Sequence, residues 1–139
     1  MTPSPPTASP PAFTILCVDD EANILSSLRR LFRPHGYKVL VAGGGVEGLE
    51  MLAGEHVDLI ISDMRMPGMD GAAFLAEARK RYPDTVRLLL TGYADMDSTI
   101  AAINSGQIAR YIAKPWNDHD VLLTVREAQI ELQPGERYA

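Results

Sequence analysis

A single cysteine, Cys17, stands in 139 residues, so no intramolecular disulfide can staple this chain. That usage suits a reducing cytoplasm, which is the expected location. No apolar run approaches the roughly 20 residues of a bilayer span, so no membrane partner is expected. Positive charge is in deficit: 13 Lys and Arg face 18 Asp and Glu, for a net charge of -5. A broad electrostatic attraction to nucleic acid is therefore not expected. Gly43, Gly44 and Gly45 are not followed by a Lys-Ser/Thr pair, which leaves a flexible turn rather than a phosphate-binding loop. His35, His56 and His119 lack the spacing of metal ligands. Met64, Met66 and Met69 resemble a soft copper site only superficially, and packing of the loop is the plainer reading. Prolines crowd the first 11 residues (Pro3, Pro5, Pro6, Pro10, Pro11) without a basic segment, so that stretch does not read as a signal peptide. Proline removes backbone donors, and residues 1–12 are expected to form a disordered leader.

What remains is ordinary globular composition, 46% hydrophobic and 22% charged, enough for one compact domain over residues 13–133. Residues 134–139 read as a short tail or the start of a linker. Within the domain the hydrophobic period alternates. Short apolar runs at 14–18, 37–41, 57–61, 86–90 and 108–113 predict strands. Helical spacing at 21–32, 46–53, 71–81, 98–104 and 118–132 predicts helices. The expected inward residues include Leu28 and Phe32, Leu49 and Leu52, Phe74, Leu75 and Ala78, Ile100 and Ile103, and Val121, Leu122, Val125 and Leu132. Strands without polar alternation, each followed by a helix, imply a doubly wound α/β fold with a parallel sheet covered on both faces. Right-handed crossovers leave few topologies. Functional groups in such sheets gather beyond the carboxyl ends of the strands.

Those ends carry Asp19 and Asp20, then Asp63, Thr91 and Lys114. Three converging carboxylates repel one another unless a cation sits among them. An all-oxygen set suits Mg²⁺, which also grips phosphate oxygens. Asp63 can then attack phosphorus to give an acyl phosphate, with Thr91 and Lys114 binding the phosphoryl oxygens.

The strings ILCVDDE, LIISDMRMPGMDG, LLLTGYAD and YIAKPW resemble, in the same order, the receiver domain of bacterial two-component response regulators. The resemblance covers roughly residues 14–132. It implies the flavodoxin-like five-stranded sheet in the order 2-1-3-4-5 with five helices. It also implies that Asp63 is the phosphoacceptor, that Asp20 binds Mg²⁺ directly, and that Asp19 does so through water. Arg65 would add its backbone carbonyl to the metal. Thr91 and Lys114 match the phosphoryl-binding pair, and Tyr111 the aromatic that turns inward as Thr91 moves. Arg65 and Tyr93 occupy the positions that tune dephosphorylation, where two bulky side chains would screen the acyl phosphate from water. The Lys114-Pro115 bond is expected to be cis. Trp116 either packs beside that bond or anchors a partner. QIARYIA is one residue longer than the family's usual spacing, which bears on where the fifth strand begins.

The expected partner is a histidine kinase or phosphotransfer protein, with a homodimer possible through the face of the fourth helix, fifth strand and fifth helix. INSGQIARYIAKPWND resembles receivers joined to HD-GYP phosphodiesterase domains, so the segment is expected to belong to a larger regulator. A stand-alone single-domain regulator is the alternative. No enzymatic turnover beyond self-phosphorylation and dephosphorylation is expected. A haloacid-dehalogenase-type phosphatase would need a second acid two residues after the nucleophile, where Arg65 stands. A receiver with vestigial phosphorylation would not keep all five strand-end residues.

Overall fold

The computed structural model describes residues 12–105 and 107–131. Most of the expected leader (residues 1–11), Leu132 and the expected tail lie outside the described residues. The chain alternates β1 (Thr14–Val18), α1 (Ala22–Phe32), β2 (Lys38–Ala42), α2 (Gly45–Gly54), β3 (Leu59–Asp63), α3 (Gly71–Arg81), β4 (Val86–Thr91), α4 (Met96–Asn104), β5 (Arg110–Ala113) and α5 (Asp118–Glu131). The strands form one parallel sheet in the order β2-β1-β3-β4-β5, the flavodoxin-like arrangement.

Two hydrophobic layers explain why the central strands lack polar alternation. Successive strand residues point to opposite faces of the sheet. Ile15, Cys17, Leu59, Ile61, Leu88 and Leu90 pack with Leu28 and Phe32 of α1 and Val121 and Val125 of α5. Leu16, Val18, Ile60 and Leu89 face the other way, onto Leu52, Phe74, Leu75, Ala78 and Ala102 of α2, α3 and α4. Every residue of β1 and β3 is buried. Close approach of α2 to α3 and to the loop before it depends on small residues. A Cβ on Gly48 would lie 2.8 Å from the Phe74 ring, and one on Gly45 would lie 2.7 Å from Met69 Sδ.

Three expectations are corrected. β3 begins at Leu59 rather than Val57 and runs through Asp63. Asp58 closes the mouth of the ladder instead, its N–H donating to the Thr14 carbonyl (3.0 Å) and its carboxylate accepting from the Thr14 N–H (2.8 Å). β5 begins at Arg110 rather than Ile108. Ile108 drops into the core beside Ala102 while the Arg87 guanidinium donates to the Gln107 carbonyl (2.8 Å), so regular pairing waits for Leu88 and Arg110. In α4 the inward face is Thr99, Ala102 and Ile103, whereas Ile100 is exposed. Residues 99, 102 and 103 share the i, i+3, i+4 stripe, and position 100 lies about 100° away from its start.

Candidate functional site

Parallel register carries the strand ends to one edge. Val18 pairs with both Ala42 and Ser62, so the next residue, Asp19, emerges beside Asp63 where the chain order reverses between β1 and β3. The Asp19 N–H donates to the Ala42 carbonyl (3.1 Å), which fixes its exit. Asp63 pairs with Leu90, placing Thr91 one step further along the edge. Thr91 pairs with Ala113, and its carbonyl accepts the Lys114 N–H (2.9 Å). All five strand-end residues singled out by the sequence are thus delivered to one edge. The Lys114-Pro115 bond is cis.

Asp19 is fully buried, Asp63 is buried and Asp20 is exposed, with one carboxylate oxygen of each within 4.8 Å of the others. Lys114 Nζ donates to Asp63 Oδ1 at 2.6 Å and lies 3.7 Å from Asp19 Oδ2. Asp19 Oδ1 accepts the Glu21 N–H (2.8 Å), but its Oδ2 is buried without a hydrogen-bond donor. Burial pushes the Asp19 carboxyl up to about 6 from an ordinary 3.8. The Glu21 amide opposes that rise, Asp63 adds to it, Lys114 opposes it and Asp20 adds to it. Burial acts to lower the Lys114 ammonium, but the hydrogen bond and charge of Asp63, with Asp19 and Glu21, outweigh it and its pKa is raised.

A buried carboxylate oxygen with no donor is costly unless something completes it. Three converging acidic oxygens, one of them orphaned, fit a hard divalent cation such as Mg²⁺. Among the described residues no other cluster of three acid, histidine or cysteine side chains has this geometry. In the methionine loop Met64 and Met66 are buried in the core and Met69 packs against it. Cys17 is fully buried and its thiol is pushed up to about 12 chiefly by desolvation, so it serves as an inert core group.

The remaining positions show how the site joins its surroundings. Thr91 is buried, and its hydroxyl donates to the Gly92 carbonyl (3.2 Å) and meets Thr99 Oγ1 at 3.0 Å. Tyr111 is 41% exposed and lines a shallow surface pocket with Pro115, Trp116 and Asp120. Arg65 sends its guanidinium to Asp95, with Nε 2.9 and 3.0 Å from the two carboxylate oxygens. Tyr93 begins a single helical turn, Tyr93–Asp95, ahead of α4, and its side chain is not among those described. Trp116 packs against the core beside Ile24 and Pro115 and donates to Asp118 (3.0 Å).

Sequence reasoning missed Thr99, Asp95 and Gly71. Thr99 was legible only as the polar member of an i, i+3, i+4 stripe. Gly71 opens α3 directly after Asp70, whose carboxylate caps the helix by accepting the Ala73 N–H (2.8 Å). A Cβ at Gly71 would overlap the Asp63 carbonyl oxygen.

Comparison with known proteins agrees with this geometry. The family model described as the response regulator receiver domain matches residues 15–126. The hydrogenase transcriptional regulatory protein HoxA of Bradyrhizobium diazoefficiens is 40% identical over 115 residues, covering 83% of this chain and 24% of that protein. This chain spans about a quarter of the length of the curated relatives it matches. The signal receiver domain of an HD domain-containing protein from Pseudomonas fluorescens Pf-5 superposes with a TM-score of 0.84 at 40% identity, covering 89% of this chain and 99% of that one. An uncharacterized protein from Neptuniibacter caesariensis superposes with a TM-score of 0.82 at 44% identity, covering 86% and 88%. With a family match extending from β1 into α5, on a sheet whose strand ends converge as they do here, the chain belongs to the response regulator receiver domain family.

Proposed function

We propose that this domain is a phosphorylation switch in which Asp63 takes a phosphoryl group from a histidine kinase or phosphotransfer protein. The observation that carries the reading is the Asp19, Asp20 and Asp63 cluster with Lys114 Nζ 2.6 Å from Asp63 Oδ1. One Asp63 carboxylate oxygen attacks phosphorus, the bond from phosphorus to the donor nitrogen breaks, and an acyl phosphate forms. Mg²⁺, held by Asp19, Asp20, Asp63 and the Arg65 carbonyl, would supply charge neutralisation for the incoming phosphoryl oxygens. Lys114 gives up its contact with Asp63 to pair with a phosphoryl oxygen, and Thr91 donates its hydroxyl to another. Tyr111, exposed here, follows Thr91 inward and so alters the surface around β5.

Of the exposed large apolar side chains among the described residues, Ile100, Tyr111, Leu123 and Ile130 lie on α4, β5 and α5. This supports the face of these elements as the surface that meets a partner or a second copy. We assign Arg65 and Tyr93 to setting the life of the acyl phosphate. The domain's own chemistry is limited to its phosphorylation and dephosphorylation, since Arg65 stands where a phosphatase of the dehalogenase type carries its second acid. We take the chain to be the receiver part of a longer cytoplasmic regulator, because the matched segment is about a quarter of the length of the curated relatives. The HD-domain neighbour favours a cyclic di-GMP phosphodiesterase as output, and the transcriptional relatives favour gene regulation. Reading the native reading frame beyond Ala139 separates the two. For the switch itself, acetyl phosphate with Mg²⁺ should add one phosphoryl mass to the wild type and none to Asp63→Asn. Equal labelling of both would overturn the assignment.

A further inference from the structure

Thr99 is a fully buried polar residue whose hydroxyl has no part in the chemistry above. Its Oγ1 lies 3.0 Å from Thr91 Oγ1 and 2.9 Å from the Asp95 carbonyl oxygen. The contact joins the end of β4 to the first turn of α4. Asp95 is itself tied through its carboxylate to Arg65, on the loop that follows Asp63. The start of α4 is therefore connected to the site twice, once through a hydroxyl pair and once through an ion pair.

A hydroxyl carries one proton and can accept through its oxygen. If Thr99 donates to Asp95, it can accept the Thr91 proton in place of the Gly92 carbonyl; if it donates to Thr91, the Asp95 carbonyl loses a donor. In the first case the Thr91 proton is taken up by Thr99, and in the second it is left to the Gly92 carbonyl (3.2 Å); in both the resting hydroxyl already has protein partners, and a shift toward a phosphoryl oxygen draws it off Thr99. The separation costs one hydrogen bond and no more, because Thr99 retains the Asp95 carbonyl and is not stranded as a buried unpaired group.

We propose that Thr99 is a positioning residue that holds the Thr91 hydroxyl in its resting orientation, so that α4 and the phosphoryl group compete for that hydroxyl. This rests on the reading that Thr91 binds the phosphoryl group. Coupling is reciprocal. A phosphoryl group that draws Thr91 away frees the first turn of α4, and a partner that moves α4 away from β4 favours phosphorylation by the same factor.

The test uses beryllofluoride, a phosphoryl mimic, titrated with Mg²⁺ onto the full chain and followed by fluorine NMR. Thr99→Val keeps the shape and removes the hydroxyl. It should tighten beryllofluoride binding about two- to tenfold, the range spanned by one intramolecular hydrogen bond. Thr99→Ser keeps the hydroxyl and should bind as the wild type does. Circular dichroism on each variant confirms that the fold is retained. In the background of Thr91→Ala, the valine substitution should have no effect on affinity. Unchanged or weaker binding by Thr99→Val, or the same shift in Thr99→Ser, would overturn the inference while leaving Asp63 as phosphoacceptor intact. Failure of the wild type to bind beryllofluoride would bring down the switch reading and this inference with it.

Discussion

Replacing Gly71 with alanine tests how closely the backbone around Asp63 is built. The added Cβ would overlap the Asp63 carbonyl oxygen and lie 2.9 Å from both the Asp63 carbonyl carbon and Met64 Cα. All three neighbours are backbone, so no side-chain rotation relieves the clash. Reaching ordinary contact requires a shift of about 1 Å or more between α3 and the end of β3, in a core that packs like a crystal. The Gly71 N–H also donates to the Met64 carbonyl at 2.8 Å, which draws the two segments together. Overpacking of this kind costs about 1–3 kcal/mol or more. The gain from alanine in a helix is at most about 1 kcal/mol, and less at the first position. The net expectation is a loss of about 2 kcal/mol, a fall in Tm of about 8 °C for a domain of this size. Gly54, at the end of α2, has no atom within 4 Å of the place a methyl group would occupy, and it serves as the control. Gly54→Ala should be neutral or stabilise by up to about 1 kcal/mol. Thermal and urea denaturation followed by circular dichroism gives both numbers. Magnesium affinity should also fall in Gly71→Ala, because the displaced backbone belongs to Asp63 of the acidic cluster. A Gly71→Ala protein as stable as Gly54→Ala, with unchanged magnesium affinity, would refute the reasoning.

The Asp19 carboxyl, raised to about 6, gives a pH signature. Its stabilising contribution is complete below the unfolded value near 4 and is lost as pH rises through about 6, so Asp19→Asn should raise Tm most at about pH 8, less at about pH 5 and barely at about pH 3. Magnesium should raise the wild-type Tm more at the higher pH, and this rise should shrink or vanish in Asp19→Asn; a pH-independent magnesium effect would count against the cluster as its site. Lys114→Ala should weaken beryllofluoride binding by about tenfold or more, the loss expected for a charge-assisted hydrogen bond, and equal affinity in a titration would contradict its role. Arg65→Ala combined with Tyr93→Ala should speed loss of the acyl phosphate severalfold, as measured by decay of the phosphorylated mass after the donor is removed. An unchanged decay rate would remove both residues from that role.

Asp19, Asp20, Asp63, Thr91 and Lys114 were legible from the chain alone for a physical reason. Buried parallel strands announce themselves as unbroken apolar runs, and the residue that follows each run must emerge at the same edge of the sheet. The helices were legible through their 3.6-residue period, most clearly α3, whose predicted and observed bounds coincide at Gly71 and Arg81. Local pattern was insufficient where a distant group completes the pairing, as Asp58 does for β3 and Arg87 for the approach to β5. It also failed in α4, where the apolar Ile100 faces outward and the hydroxyl of Thr99 faces in. Chain order thus determined which residues reach the edge and which chemistry they can share. Only tertiary packing decided that Lys114 lies on Asp63, that one oxygen of Asp19 is left without a donor, that Gly71 must lack a side chain, and that Thr91 meets Thr99. Each of these is a distance between segments set by how helices seat on the sheet, and no local periodicity encodes it.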